Sequence, residues 1–319
     1  MTGMNVTLIA GGVGGAKMAE GFAALSGVKL TVIGNVADDA EFHGLWVSPD
    51  IDTVTYTLAG LINRDQGWGL ADEGRRALDM LSTLGEDTWM FLGDKDFGLH
   101  IHRTARIKNG DRRTVIATDV ASALGVKASI VLPTDDVVQT RVKTPDGWIS
   151  FQDYFVRLKC APEVLDVTFD GIEAARPTPE ALAAISGADL IVLAPSNPIV
   201  SIAPILGIPG IRGAISQATT PRIGVSPLIA GRVVKGPADR MMKTLGHRTD
   251  ALGVAALYAD ILDQFLIDHA DENLASEIDA MGPRAICADI MMRDRDDKAR
   301  LAREIIDLSS SRVAQGSAA

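Results

Sequence analysis

The chain opens with a combination that leaves few folds available. A short apolar run, residues 6–10, breaks at Gly11-Gly12-Val13-Gly14-Gly15, and helical composition follows over residues 16–25. Strand, glycine turn and helix in that order begin a doubly wound α/β sheet. Residues 30–34 supply a second strand, which makes a right-handed βαβ unit the natural connection. Ligands of open α/β sheets collect at the carboxyl ends of the strands, so the segment after the second strand shares a crevice with the glycine turn. That segment, residues 35–53, is acidic and carries Asp38, Asp39, Glu41, Asp50 and Asp52. Carboxylates at a strand's end are poorly placed for core packing. They are well placed to hold a hard divalent cation or to accept a proton from a substrate hydroxyl. The plainer alternative is a solvated acidic loop.

Further along, residues 53–62, 72–84, 98–107 and 112–124 carry helical patterns. The polar turn Leu92-Gly93-Asp94-Lys95-Asp96 precedes a helix that begins near Phe97 and bears His100, His102 and Arg103. Residues 137–143 and 148–155 flank Thr144-Pro145-Asp146-Gly147, and an Asp-Gly turn between alternating runs predicts a hairpin. Residues from about 54 to 160 therefore read as a mainly helical insertion whose β-hairpin covers the crevice. The α/β pattern resumes with strands over 164–169, 190–194 and 222–225 and a helix over 179–185, and residues 264–267 and 285–291 read as edge strands and cover. A last helix spans 296–308, and the small, polar segment 309–319 is expected to be disordered. The expected fold is one α/β domain over residues 1–319: a doubly wound, mostly parallel, Rossmann-like sheet.

Composition narrows the function. Of 319 residues, 47% are hydrophobic and 23% charged, and no apolar run approaches the ~20 residues that span a bilayer. The N-terminus lacks the basic region of a signal peptide, so a cytoplasmic protein without a membrane partner is expected. The net charge of −10 argues against nucleic acid as a partner, because phosphate backbones are bound by clustered Lys and Arg. Cys160 and Cys287 lack CxxC spacing, and the five histidines contain no pair at i, i+4 spacing, so neither a zinc site nor a histidine-based metal site is indicated.

The glycine turn satisfies neither standard nucleotide motif. In the dinucleotide pattern G-x-G-x-x-G, Lys17 stands where the third glycine belongs, and the P-loop ending Gly-Lys-Ser/Thr is replaced by Ala16-Lys17-Met18. The underlying physics survives: glycines let backbone N–H groups approach an anion at a helix N-terminus, and Lys17 adds a point charge. The turn Pro195-Ser196-Asn197-Pro198 offers a hydroxyl and an amide at a strand's end, or simply a helix cap. Trp68, within Gln66-Gly67-Trp68-Gly69, is suited to shielding a flat ring, whereas Trp46, Trp89 and Trp148 read as core.

Taken in order, several motifs resemble the 2-phospho-L-lactate transferase family of coenzyme F(420) biosynthesis. They are Ala10-Gly11-Gly12-Val13-Gly14-Gly15-Ala16-Lys17, Asn35-Val36-Ala37-Asp38-Asp39, His43-Gly44-Leu45, Ser48-Pro49-Asp50-Ile51-Asp52-Thr53, Gly67-Trp68-Gly69, Leu92-Gly93-Asp94-Lys95-Asp96 with His100, Phe151-Gln152-Asp153, Ala194-Pro195-Ser196-Asn197-Pro198 and Val225-Ser226-Pro227. The resemblance runs from about residue 4 to about residue 292. It implies transfer of a phosphorylated three-carbon acid (phospholactate, phosphoenolpyruvate or 3-phosphoglycerate) from a guanosine diphosphate-linked donor to the terminal ribityl hydroxyl of the deazaflavin Fo, releasing GMP with magnesium (Mg2+) assisting. It further implies that Gly11, Gly12, Gly14, Gly15 and Lys17 hold the phosphates and that Ser196, Asn197 and Ser226 hold the guanosine side. Asp38, Asp50 and Asp52 would serve the metal, Asp50 and Asp52 also being the catalytic carboxylates. Lys95 with Asp94 and Asp96 would sit near the deazaflavin and Thr53 beside the ribityl chain, while Asn35 and His100 complete the binding set. A homodimer is expected by the same analogy.

Two other classes compete. Nucleotide-sugar-binding regulators of gluconeogenesis and cell shape look similar in the glycine turn and the Asp-Asp element, but they follow Asp-Asp with a Gly/Ser-rich run, where this chain has Ala40-Glu41-Phe42-His43-Gly44. An NAD-dependent dehydrogenase is disfavoured by the missing third glycine and by an acidic residue too early for the ribose.

Overall fold

The computed structural model describes residues 3–234 and 236–316. Its core is a seven-stranded sheet built from β1 (Met4–Ala10), β2 (Val28–Gly34), β3 (Ser129–Val131), β4 (Leu190–Leu193), β5 (Arg222–Val225), β6 (Gln264–Asp268) and β7 (Arg284–Ala288), in the spatial order β7-β6-β5-β4-β1-β2-β3. Every neighbouring pair is parallel. The order reverses between β1 and β4, the switch point at which a doubly wound sheet opens its ligand crevice.

Side-chain alternation along the strands builds the two covering layers. Leu8, Val32, Val192 and Leu266 pack on one face with Met18, Phe22, Ala117 and Leu301. Their neighbours Ile9, Ile33, Leu193 and Ile267 pack on the other with Ile185, Ile205, Ile215 and Val254. Because both faces are covered, the strands are apolar at nearly every position, and that is why they stand out in the sequence as short unbroken runs. A satellite core of Val47, Leu78, Met90, Leu92 and Phe97 lies apart from both layers.

The first helix, α1 (Gly12–Ala23), starts inside the glycine run, four residues earlier than helical composition predicts. Helix α2 (Pro49–Leu58) likewise starts early, so Asp50 and Asp52 lie in its first turn, behind a proline at the helix start. Further helices follow as α3 (Arg76–Thr83), α4 (Asp94–Lys108) and α5 (Arg113–Ala123).

Several expectations are corrected. The interval 54–160 contributes β3 to the central sheet as well as helices. The strand expected over 164–169 does not continue that sheet. Asp166–Asp170 instead pairs antiparallel with Gln139–Thr144, the first arm of the hairpin, in a separate three-stranded sheet. The hairpin's second arm, Gly147–Ser150, ends sooner than residue 155. There Ser150 Oγ accepts from the Asp153 amide and donates to the Asp153 carboxylate, and this local cap starts a helical turn over Asp153–Arg157. The acidic segment itself contains a small hairpin, Ala40–Phe42 with Leu45–Val47, whose tip places His43 at φ 51° and Gly44 at φ 74°. The last helix, Arg295–Gly316, continues into the segment expected to be disordered, of which residues 317–319 lie outside the described residues. No single helix among the described residues is long and apolar enough to cross a membrane.

Candidate active site at the switch point

The ends of β1 and β4 are fastened by one hydroxyl. Ser196 Oγ donates to the Gly11 carbonyl (2.7 Å) and accepts from the Gly11 amide (3.2 Å). Helix α1 rests so closely on the β4 turn that a Cβ on Gly14 would lie 2.1 Å from the Pro195 carbonyl oxygen. Gly11 is equally constrained, since its Cβ would stand 2.6 Å from Asp50 Oδ2. The sequence therefore needs glycine here to let a carboxylate approach.

Over this joint lies a cavity of about 560 Å³, within the usual range of ligand pockets. Its floor comprises Gly11, Gly12, Gly14, Asp38, Asp50, Ser196 and Asn197. On the β2 side it is walled by Asp52, Thr53, Tyr56, Asp96 and His100 and by an apolar group that includes Trp68, Trp89, Phe91, Phe151 and Phe155. On the β5 side it is walled by Ser226, Pro227, Ile290 and Met292.

The acidic segment divides into three environments. Asp50 is buried; its Oδ2 accepts from Asn35 Nδ2 at 3.0 Å and its carboxylate also takes the Gly12 amide. Asp38 is buried too, its charge repels that of Asp50, and its Oδ1 has no hydrogen-bond partner. Burial, aided by Asp50, pushes the Asp38 carboxyl well above the ordinary carboxylate range. Burial likewise raises Asp50 to about 6 against the lowering effect of its Asn35 and Gly12 bonds. Asp39 lies behind the floor, where its Oδ2 accepts from Trp46 Nε1 (3.0 Å) and Ser48 Oγ (2.8 Å), and burial raises it to about 7. Asp52 turns away from this group and is gripped by both terminal nitrogens of Arg103, with Nη1 3.1 Å from Oδ2. That guanidinium and carboxylate are both buried.

These shifts carry a pH signature. A carboxyl whose folded-state pKa exceeds the unfolded value of about 3.9 makes the folded chain the tighter proton binder. The stability it lends is full below the unfolded value and is lost as pH rises through the folded one. Asp50 and Asp96, both at about 6, and Asp39, at about 7, act together. The ligand-free protein should accordingly melt at a higher temperature at pH 5.5 than at pH 8, and calorimetry across that range checks the sign.

The remaining expected residues fall into two groups. Lys17, Thr53, Asp96, His100, Asn197 and Ser226 all line the cavity. Much of their polarity is already used by the protein: Lys17 Nζ donates to the Met292 carbonyl, Asn197 Oδ1 caps the following helical turn through the Ile199 and Val200 amides, and Ser226 Oγ closes a turn with Leu228. Four others, Asn35, Gly15, Lys95 and Asp94, are not among its lining residues. Asn35 is buried beneath Asp50, and Gly15 packs against Ala10 and Ser196. Lys95 is exposed and donates to the Ala71 carbonyl, while Glu73 accepts the Lys95 and Asp96 amides at the start of α4. Asp94 caps α3 through the Ala77 amide and pairs with Arg76. Sequence reasoning passed over Arg103 and Tyr56, whose hydroxyl donates to Asp96 at 2.8 Å. It also read Trp89 as core. The i, i+3 spacing of His100 and Arg103 on one helix was the available signal.

Among the described residues no three His, Cys, Asp or Glu side chains surround a common point. Asp38 and Asp50 do supply a pair of mutually repelling carboxylates, one with an oxygen lacking a partner. That set fits a magnesium ion, which commonly takes one or two carboxylates and completes its shell with water and substrate phosphates.

The model of the family described as 2-phospho-L-lactate transferase CofD matches residues 6–305. A phosphoenolpyruvate transferase of Streptomyces coelicolor is 39% identical over 313 residues, covering 96% of this chain and 98% of the relative. A 2-phospho-L-lactate transferase of Methanocaldococcus jannaschii is 35% identical over 311 residues with the same coverage of each. Among solved structures, a member of the UPF0052 family from Bacillus halodurans aligns with a TM-score of 0.65 over 96% of this chain and 100% of its own, and at 17% identity the likeness is one of fold. A doubly wound sheet with this switch-point cavity and these relatives defines a phosphotransferase. More narrowly, the chain belongs to the 2-phospho-L-lactate transferase CofD family.

Proposed function

We propose that the enzyme acts in coenzyme F(420) biosynthesis. In this reading it transfers a phosphorylated three-carbon acid from a guanosine diphosphate-linked donor to the terminal ribityl hydroxyl of the deazaflavin Fo. Family membership over residues 6–305 carries this reading, and the cavity fits it in layout. The residues after β5 and β7 offer a place for the guanosine, the glycine floor lies where the diphosphate would cross, and the aromatic wall on the β2 side suits a flat tricyclic ring.

The transfer is one in-line displacement. The ribityl oxygen forms a bond to the phosphorus that carries the acid, the bond from that phosphorus to the bridging oxygen breaks, and GMP leaves. Asp38 and Asp50 would hold magnesium, which when bound neutralises the diphosphate. The amides of the glycine turn and Lys17 would complete the phosphate site. Asp52, fixed by Arg103, would orient the ribityl hydroxyl and receive its proton as the new bond forms.

Incubation with Fo, magnesium and each guanylylated acid in turn, with product masses read directly, tests the proposal and identifies the acid. One donor should yield GMP and the matching phosphodiester of Fo. No adduct with phospholactate, phosphoenolpyruvate or 3-phosphoglycerate, together with tight binding of a nucleotide sugar, would replace the proposal with a binding regulator. Homodimeric assembly belongs to the same proposal and is checked by sedimentation.

A further inference from the structure

His100 and Arg103 stand one turn apart on α4 and meet side by side. Arg103 Nη1 lies 3.2 Å from His100 Nδ1, 3.1 Å from Asp52 Oδ2 and 3.4 Å from the Trp46 carbonyl. A guanidinium only donates hydrogen bonds. A His100 Nδ1 that accepts from it is the bare nitrogen, with the ring proton on Nε2. His100 is only 2% exposed, yet it lines the cavity. Its Nε2 makes no hydrogen bond with the described residues and is not among the buried polar atoms sealed away without a partner, which leaves the cavity as the direction it faces.

We infer that Arg103 is a positioning residue that locks His100 as a neutral Nε2–H donor aimed into the aromatic side of the cavity, where it binds an oxygen acceptor atom on the group-accepting substrate. His100 then neither takes a proton nor ligates a metal. It fixes the lateral position of the acceptor, while the same guanidinium holds Asp52. One cation thus sets both the donor and the carboxylate that face that substrate. The other tautomer would leave Arg103 facing an N–H, and a ring flip would leave it facing the Cδ2–H, so either change forfeits the contact. The oxygen partner follows from chemistry, since a lone N–H donor selects a carbonyl or hydroxyl over an apolar edge. The identity of the substrate as Fo rests on the function proposed above.

The test has two arms. In protein labelled with 15N-histidine at pH 7.5, the His100 signals, assigned by their loss in His100→Gln, should show a protonated Nε2 and a bare Nδ1. In Arg103→Met the tautomer should move to Nδ1–H, because Asp52 Oδ2, 4.0 Å away, becomes the nearest acceptor. The wild-type spectrum decides the tautomer even if Arg103→Met fails to fold. In kinetics, His100→Ala should raise KM for the acceptor roughly tenfold to a hundredfold, with donor KM within about threefold of the parent. His100→Gln, whose amide reaches the Nε2 position, should recover most of that loss, and His100→Asn, which reaches only Nδ1, should not. An Nδ1–H or doubly protonated ring in the wild type, an unchanged acceptor KM in His100→Ala, or equal behaviour of the Gln and Asn variants would each overturn the inference. If the wild type does not turn over Fo at all, the proposed acceptor is wrong, and the spectrum alone then judges the lock.

Discussion

Asp50→Asn should lower kcat by at least about a hundredfold while leaving the melting temperature at pH 8 close to that of the parent. The two halves of this result have separate causes. Loss of the charge removes one of the two carboxylates proposed to hold the cation and weakens the floor on which the diphosphate is proposed to lie. Stability is balanced by opposing effects of similar size. Removing the charge ends the repulsion with Asp38 that helps raise the Asp38 carboxyl. An asparagine, however, replaces one carboxylate oxygen by an NH2 and accepts less strongly from Asn35 Nδ2 and the Gly12 amide than the carboxylate does, a weakening on the order of 1 kcal/mol. The pH dependence of the melting temperature should flatten at the same time, because one of the raised carboxyls is gone. Turnover assays and calorimetry on the same preparation separate these effects. Activity within tenfold of the parent would remove Asp50 from the machinery. A fall in melting temperature of 10 °C or so would show that its hydrogen bonds outweigh its charge.

Gly14→Ala should be strongly destabilising for the addition of a single methyl. Its Cβ would lie 2.1 Å from the Pro195 carbonyl oxygen and 3.0 Å from the carbonyl carbon, and backbone on both sides of the contact leaves no flexible side chain to yield. The neighbouring Ser196 to Gly11 hydrogen bonds hold the two strand ends together, so separation of α1 from the β4 turn stretches them as well. A destabilisation of about 3 kcal/mol follows from forced repacking of this kind, and donor binding should fall with it because the same joint floors the cavity. Gly98→Ala is the matched control. Gly98 lies in α4 with nothing within 4 Å of its added methyl, so the change should be neutral or stabilise by up to about 1 kcal/mol. Equal melting temperatures for the two variants would mean that the joint between α1 and β4 is not tightly closed.

The sequence by itself determined the doubly wound frame, because strands buried on both faces are unbroken apolar runs and a glycine run between strand and helix has few other uses. The same local signals placed Asp38, Asp50, Ser196 and Asn197 at strand ends or helix starts, and hence in one crevice. Residues 164–169 show where such reading stops. Their strand character was legible, but their partner Gln139–Thr144 lies across a hairpin in a different sheet, and strand pairing is a property of distant segments. The surroundings of Lys95 were illegible for a related reason: its exposed ammonium donates to the Ala71 carbonyl, 24 residues upstream and outside the cavity lining.

Tertiary structure alone decided the charge arrangement. Asp50 and Asp52 differ by two positions in one helical turn and look interchangeable in sequence. In the fold one sits under the glycine turn opposite Asp38, and the other is gripped by Arg103 from a helix 51 residues away. Electrostatic pairing depends on distance and burial rather than on spacing along the chain.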